Sequence, residues 1–230
     1  MIYLFDVDGT LTPSRGTMDA EFKQSFFNFI KNHTVWLVTG SDKNKTVEQI
    51  GSDLYNSIEY SFNCSGNIAY SYGEEIHRND WTASDEIMTF LNAYISKSKF
   101  SPITSTKHFD IRPGLLNFSV VGCDTVGEQR KRYYTWDQTS NERQNIADAV
   151  NLKFEGVEAV VGGEISIDVY KSGCDKSQVL PWCKGERVTF FGNSIRPGGN
   201  DYSVAMKSDH YVVVDTWEDT RDWLKENKLI

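Results

Sequence analysis

The first ten residues constrain the fold more than any other stretch. Residues 2–7 form a short apolar run that ends in Asp-Gly, the pattern of a parallel strand buried on both faces. A helical pattern follows over residues 18–32, with Phe22, Phe26, Phe29 and Ile30 at helical spacing and Thr17 as the expected N-cap. A second buried strand is predicted over 35–38, stopped by Thr39-Gly40-Ser41, then a helix over 43–55 and a strand over 60–64. Strand–helix–strand–helix order argues for a parallel sheet with helices on its faces.

The pattern changes after Gly66. Residues 67–72 and 74–78 flank a glycine and read as a hairpin. Residues 84–98 place Ile87, Phe90, Leu91, Tyr94 and Ile95 on one helical face, and a polar helical segment is expected over 128–150. Strands are predicted at 116–120, 157–161 and 164–170. This middle section reads as α+β with an antiparallel sheet. Parallel-type order resumes with strands at 188–191 and 211–215 and a helix over 216–227. The chain is therefore expected to be an α/β core, residues 1–73 and 172–230, carrying an inserted α+β domain, residues 74–171.

Composition narrows the partners. A net charge of −8 over 230 residues repels nucleic acid and anionic membrane. A phosphorylated ligand would then need a local cluster of Arg or Lys. Cys64, Cys123, Cys174 and Cys183 form no C-x-x-C pair, and no His falls at a zinc spacing, so they read as reduced, cytosolic thiols and the expected location is cytoplasmic. The opening MIYLFDVDG lacks a basic n-region and a cleavage site, so it reads as a first strand and not as a signal peptide.

Asp6-Val7-Asp8-Gly9-Thr10 follows the first strand directly. Ligands of an open parallel sheet bind outside the carboxyl ends of its strands. There Asp6 can attack phosphorus and form an aspartyl-phosphate, while Asp8 protonates the leaving oxygen. The bland alternative is an Asx turn. Thr39 can donate its hydroxyl to a phosphoryl oxygen, or serve only as a turn residue. Lys176, in Gly173-Cys174-Asp175-Lys176, can neutralise charge on Asp6 and the phosphoryl group. Oxygen side chains in the loop from Gly192-Asn193 to Asn200-Asp201 can complete a magnesium shell.

Together these pieces resemble the haloacid dehalogenase superfamily of phosphotransferases, whose core is a Rossmann-like parallel sheet. Four longer stretches narrow the resemblance to the eukaryotic-type phosphomannomutases. They are Asp6-Val-Asp-Gly-Thr-Leu-Thr-Pro-Ser-Arg15, Arg112-Pro-Gly-Leu-Leu-Asn117-Phe-Ser, Gly162-Gly-Glu-Ile-Ser166-Ile-Asp168-Val and Phe190-Phe-Gly-Asn-…-Pro-Gly-Gly-Asn-Asp201. The resemblance implies Asp6 as nucleophile and Asp8 as acid/base. It implies Mg2+ on Asp6, the carbonyl of Asp8 and Asn193, with Asp201 close enough to join. Arg15 would contact substrate from the core. Arg112 and Arg130 would bind the distal phosphate from the inserted cap, and Ser166 and Asp168 would bind phosphate and sugar hydroxyls. Arg130-Lys131-Arg132 reads equally as a solvated basic face. The resemblance further implies a hexose phosphate substrate, a hexose bisphosphate activator and a homodimer formed through the cap.

Three positions depart from the family pattern. Asn193 stands where the family has an aspartate, Cys123 where it has a cap arginine, and Lys207 where an aspartate serves a second, structural cation. The missing arginine leaves three readings open: a mutase, a sugar-phosphate phosphatase and a non-catalytic sugar-phosphate-binding module.

Overall fold

The computed structural model describes residues 1–230. Its strands are β1 (Ile2–Phe5), β2 (Thr34–Val38), β3 (Tyr60–Asn63), β4 (Ile68–Ser71), β5 (Glu74–Arg78), β6 (Phe109–Arg112), β7 (Leu115–Phe118), β8 (Val157–Gly162), β9 (Ser166–Lys171), β10 (Val188–Gly192) and β11 (His210–Val213). Its α-helices are α1 (Ala20–Asn32), α2 (Lys43–Ile50), α3 (Ser52–Tyr55), α4 (Asp85–Lys97), α5 (Gly127–Ser140), α6 (Glu142–Lys153), α7 (Tyr202–Lys207) and α8 (Trp217–Glu226). A 3₁₀ helix spans Lys176–Cys183. No helix is long and apolar enough to cross a membrane.

The chain divides into two compact units. The first comprises Met1–Asn79, Cys174–Pro197 and Asp201–Ile230, and the second Asp80–Gly173 with Gly198–Asn200. The first holds one seven-stranded sheet of order β11-β10-β1-β2-β3-β4-β5. Its first five strands in that order run parallel, and β4 and β5 are antiparallel. Burial on both faces explains the unbroken apolar run of β1. Ile2 and Leu4 join Trp36, Phe62 and Phe190 in one core layer. Phe5 points the other way, stacked on Phe191 at 4.5 Å and edge-on to Phe26 of α1 at 5.3 Å.

The second unit folds around a four-stranded antiparallel sheet of order β6-β7-β9-β8. Alternation assigns its two faces. Leu116, Phe118, Ile167 and Val169 pack with Ile87 and Leu91 of α4, Tyr133 of α5 and Ile146, Ala147 and Val150 of α6. Asn117 and Asp168, directly paired across β7 and β9, take the opposite face.

Several expectations are corrected. A seam at Gly73 would cut the β4–β5 hairpin. That hairpin instead extends the first sheet through β3, so the first unit runs on to Asn79. Asp19, and not Thr17, caps α1, its carboxylate accepting from the N–H groups of Glu21 and Phe22 at 3.0 and 2.9 Å. Gly51, at φ +86°, divides the expected helix over 43–55 into α2 and α3. Asn141 in the left-handed region likewise divides the polar helical segment into α5 and α6. Strand β6 lies in a stretch where the apolar pattern gives no strand.

Candidate active site

Register brings the sequence motifs of the first unit together. Phe5 of β1 pairs with Phe191 of β10 and with Leu37 of β2. Three adjacent parallel strands therefore end side by side, and the residues just past their ends are Asp6, Asn193 and Thr39. The turn after Asp6 closes on the carbonyl of Val7, which accepts from the N–H groups of Thr10, Leu11 and Thr12 at 3.2, 2.9 and 3.2 Å. Gly9 takes φ +87°, and a Cβ there would lie 2.1 Å from Asn193 Nδ2. Only glycine lets the Asn193 side chain pass so close.

Lys176 Nζ bridges two carboxylates, donating to Asp6 Oδ1 at 2.7 Å and Asp201 Oδ1 at 2.6 Å. All three side chains are buried. Two negative charges thus share one positive charge away from water. Burial pushes Asp6 up to about 7, against the pull of the Lys176 ammonium and with a further push from Asp201. Burial opposes the charge on Lys176, yet Asp201 and Asp6 together hold it above the usual lysine value. The second oxygen of Asp201 accepts from the Ser194 N–H at 3.0 Å.

Asp8 has other surroundings. Its Oδ1 accepts from the Arg15 N–H at 2.5 Å and from Gln49 Nε2 at 3.0 Å, and Lys45 Nζ lies 3.5 Å from Oδ2. Arg15 therefore meets Asp8 through its backbone, at φ +56°. Thr39 is buried, and its hydroxyl oxygen accepts from the Ser41 N–H at 3.1 Å. No group of three or more His, Cys, Asp or Glu side chains is arranged to hold a metal. The oxygen donors available beside the strand ends are the Asp6 carboxylate, the Asp8 carbonyl and the Asn193 amide, whose Nδ2 donates to that carbonyl at 3.2 Å. One carboxylate, neutral oxygens and water form a donor set suited to Mg2+. Asp201, the other carboxylate expected near the cation, has Lys176 on one oxygen and the Ser194 N–H on the other.

The remaining candidates lie in the second unit. Asn117 Nδ2 donates to Asp168 Oδ1 at 2.6 Å, and the Ser166 hydroxyl donates to the Gly162 carbonyl at 3.0 Å. Arg112 places Nε and Nη2 on Asp110 Oδ2 at 3.0 and 2.6 Å. Arg130 Nε donates to Glu164 on the β8–β9 turn. Both guanidiniums are thus held by a carboxylate of their own unit. Cys123 is buried, its thiol directed at the carbonyls of His108 and Asn117 at 3.3 and 3.5 Å.

Residue-type reasoning missed Gln49, Lys45 and Arg143. Gln49 sits on α2 and also donates to Thr12 Oγ1 at 3.1 Å, but nothing in its local sequence distinguishes it from other helix glutamines. Arg143 follows the Asn141 break, which the sequence pattern does not reveal, so no local signal marks it.

An N-terminal Asp-x-Asp at the carboxyl end of an interior parallel strand, opposite a buried lysine, defines a phosphotransferase of the haloacid dehalogenase fold. Solved structures agree on that fold. A HAD subclass IIB sugar phosphatase superposes with a TM-score of 0.61 at 14% identity, covering 100% of this chain and 99% of the other. The IMP-nucleotidase of Plasmodium falciparum gives 0.68 at 12% identity, covering 100% and 68%. The eukaryotic phosphomannomutase family model matches residues 22–228. Phosphomannomutases of Saccharomyces cerevisiae and Schizosaccharomyces pombe are 30% and 31% identical to the chain, each over 88% of it and 84% of the relative. The chain belongs to the eukaryotic phosphomannomutase family and is an enzyme of the phosphotransferase type.

Proposed function

We propose that this chain is a Mg2+-dependent phosphomannomutase that interconverts mannose 6-phosphate and mannose 1-phosphate through an aspartyl-phosphate and a hexose bisphosphate. A carboxylate oxygen of Asp6 attacks phosphorus, the ester bond to the sugar oxygen breaks, and Asp8 gives that oxygen a proton. In the return step Asp8 removes a proton from a sugar hydroxyl, whose oxygen attacks the aspartyl-phosphate and releases the Asp6 carboxylate. Lys176 keeps Asp6 oriented and offsets the charge of the transferring group, and Thr39 donates its hydroxyl to a phosphoryl oxygen. Bound at Asp6, the Asp8 carbonyl and Asn193, Mg2+ would supply neutralisation of phosphoryl charge. In the second unit Arg112 and Arg130 take the distal phosphate, Ser166 and Asp168 the phosphate and sugar hydroxyls, while the Arg15 side chain adds a contact from the first. Homodimerisation through the second unit and a cytoplasmic setting, which four thiols suit, belong to the same reading.

The observation that carries this reading is the contrast between the two aspartates. Asp6 is sealed against Lys176, whereas Asp8 is held by Gln49, Lys45 and a backbone N–H. Two carboxylates two residues apart in such different settings suit the separate tasks of nucleophile and acid/base. The second reading, a sugar-phosphate phosphatase, is favoured by Cys123, a thiol where the resemblance calls for a phosphate-gripping guanidinium. A coupled assay with mannose 1-phosphate, with and without hexose bisphosphate, reads isomer and free phosphate together. Isomer formation that depends on the bisphosphate supports the mutase. Free phosphate alone supports the phosphatase, and turnover retained by Asp6→Asn would falsify both.

A further inference from the structure

Arg143 is among the largest fully buried side chains of the molecule, and no motif marks it. Its backbone N–H and its Nε donate to the two oxygens of Asp137, at 3.0 and 2.7 Å. Asp137 stands near the end of α5 and Arg143 near the start of α6, so the pair spans the corner that Asn141 turns. At its far end, Nη1 faces three carbonyl oxygens: Gly163 at 2.9 Å, Gly162 at 3.4 Å and Ser166 at 3.5 Å. Gly162 ends β8, Ser166 begins β9, and Gly163 lies in the turn between them. Of these residues Gly162 is buried, Ser166 half-buried and Gly163 exposed, and one guanidinium nitrogen faces the carbonyls of all three.

That turn also sets two of the residues proposed to meet substrate. The Gly162 carbonyl accepts from the Ser166 hydroxyl as well as from Arg143. The Asp168 carboxylate lies over the bare α-carbon of Gly162, where an added Cβ would be 2.6 Å from Oδ2. Any shift of residues 162–166 therefore moves the Ser166 hydroxyl and changes the space left for Asp168. From these contacts we infer that Arg143, anchored by Asp137, is a positioning residue that fixes the 162–166 turn so that Ser166 and Asp168 meet a hexose phosphate. The inference rests on the binding role proposed above for those two residues.

The test compares Arg143→Lys and Asp137→Asn with Ser166→Ala and Asp168→Asn. Lysine keeps the charge opposite Asp137 but lacks the planar fork that reaches several carbonyls at once. The expected result for Arg143→Lys is a rise in KM for hexose phosphate of about tenfold, the equivalent of one or two lost hydrogen bonds. Hydrolysis of a small aryl phosphate, which has no sugar ring to place, stays unchanged. An unchanged KM overturns the inference, as does an equal loss towards both substrates, the mark of a purely structural role. Should Arg143→Lys not fold, Asp137→Asn carries the same comparison with the same outcomes. If Ser166→Ala and Asp168→Asn leave KM untouched, the binding role itself falls and the inference falls with it. If they raise KM while Arg143→Lys does not, the positioning role alone falls.

Discussion

The Asn193 side-chain amide donates to the backbone carbonyl of Asp8 across 3.2 Å, directly over the α-carbon of Gly9. The amide and the carbonyl are thus within reach of one small cation, but neither brings a charge. Asn193→Asp replaces a neutral oxygen of the proposed donor set with a carboxylate, and hard cations favour charged oxygen. The variant is expected to reach half-maximal activity at a lower magnesium concentration than wild type. A magnesium titration decides it, and an equal or higher requirement removes Asn193 from the cation's shell.

The raised Asp6 carboxyl makes stability depend on pH in the metal-free protein. Its folded value is about 7, and the unfolded value is about 4. Between the two, the folded state holds the proton more tightly. The resulting stabilisation is fully present below about pH 4 and is lost as pH rises through about 7. Melting temperatures of wild type and Asp6→Asn, measured in chelator from pH 5 to pH 8, are expected to diverge, with wild type losing ground as pH rises. A difference that stays constant over that range contradicts proton uptake by Asp6.

Gln49 is the neutral side-chain donor to Asp8, and it is itself buried. Gln49→Leu keeps the approximate volume but withdraws a hydrogen bond from Asp8 Oδ1 and another from Thr12. An acid/base carboxylate that swings out of line loses proton-transfer efficiency, so kcat is expected to fall roughly tenfold. KM changes little if Gln49 touches only Asp8. Steady-state kinetics in which KM rises and kcat holds would assign Gln49 to substrate contact instead.

Arg112 and Cys123 separate the two reaction classes. A mutase must grip the distal phosphate in both orientations of the bisphosphate, and a phosphatase need not. Arg112→Ala is expected to raise KM and lower kcat for isomerisation, because remote binding energy orients the reacting phosphate. Hydrolysis of an aryl phosphate is little affected. Cys123→Arg, placing a guanidinium where a buried thiol now faces two carbonyls, is expected to shift turnover towards isomerisation. The quantity to measure is the isomerisation-to-hydrolysis ratio in wild type and both variants. A ratio common to all three leaves the mutase without its phosphate grip.

The parallel sheet was legible because β1, β2 and β10 are buried on both faces, and such strands read as unbroken apolar runs. The Asp6–Lys176 pairing was legible in kind, since each stands at a motif, although 170 residues separate them. Helix breaks were harder to read. Gly51 and Asn141 interrupt helices through a single positive φ, which leaves the hydrophobic periodicity on either side intact. Strand β6 escaped detection because its Phe109-Asp-Ile-Arg112 sequence lies at a sheet edge, where half-exposed residues blur the alternation. Arg143 and Gln49 were invisible for a different reason. Their importance lies in what they touch across the fold, and local sequence carries no trace of it.

Lys207, at the end of α7, donates to the Ser177 hydroxyl at 2.8 Å. Ser177 in turn gives its N–H to Asp175 at 2.6 Å, and Asp175 also accepts from the Ser203 hydroxyl at 2.8 Å. A diffusible ion at such a joint obeys mass action, and dilution or a chelator strips it away. A charge carried on the chain's own side chain has an occupancy that no buffer can alter. The helix that begins with Lys176 is thereby moored by a covalently tethered ammonium, one residue beyond the lysine that faces Asp6. Removing divalent ions from the medium then leaves this mooring as it was.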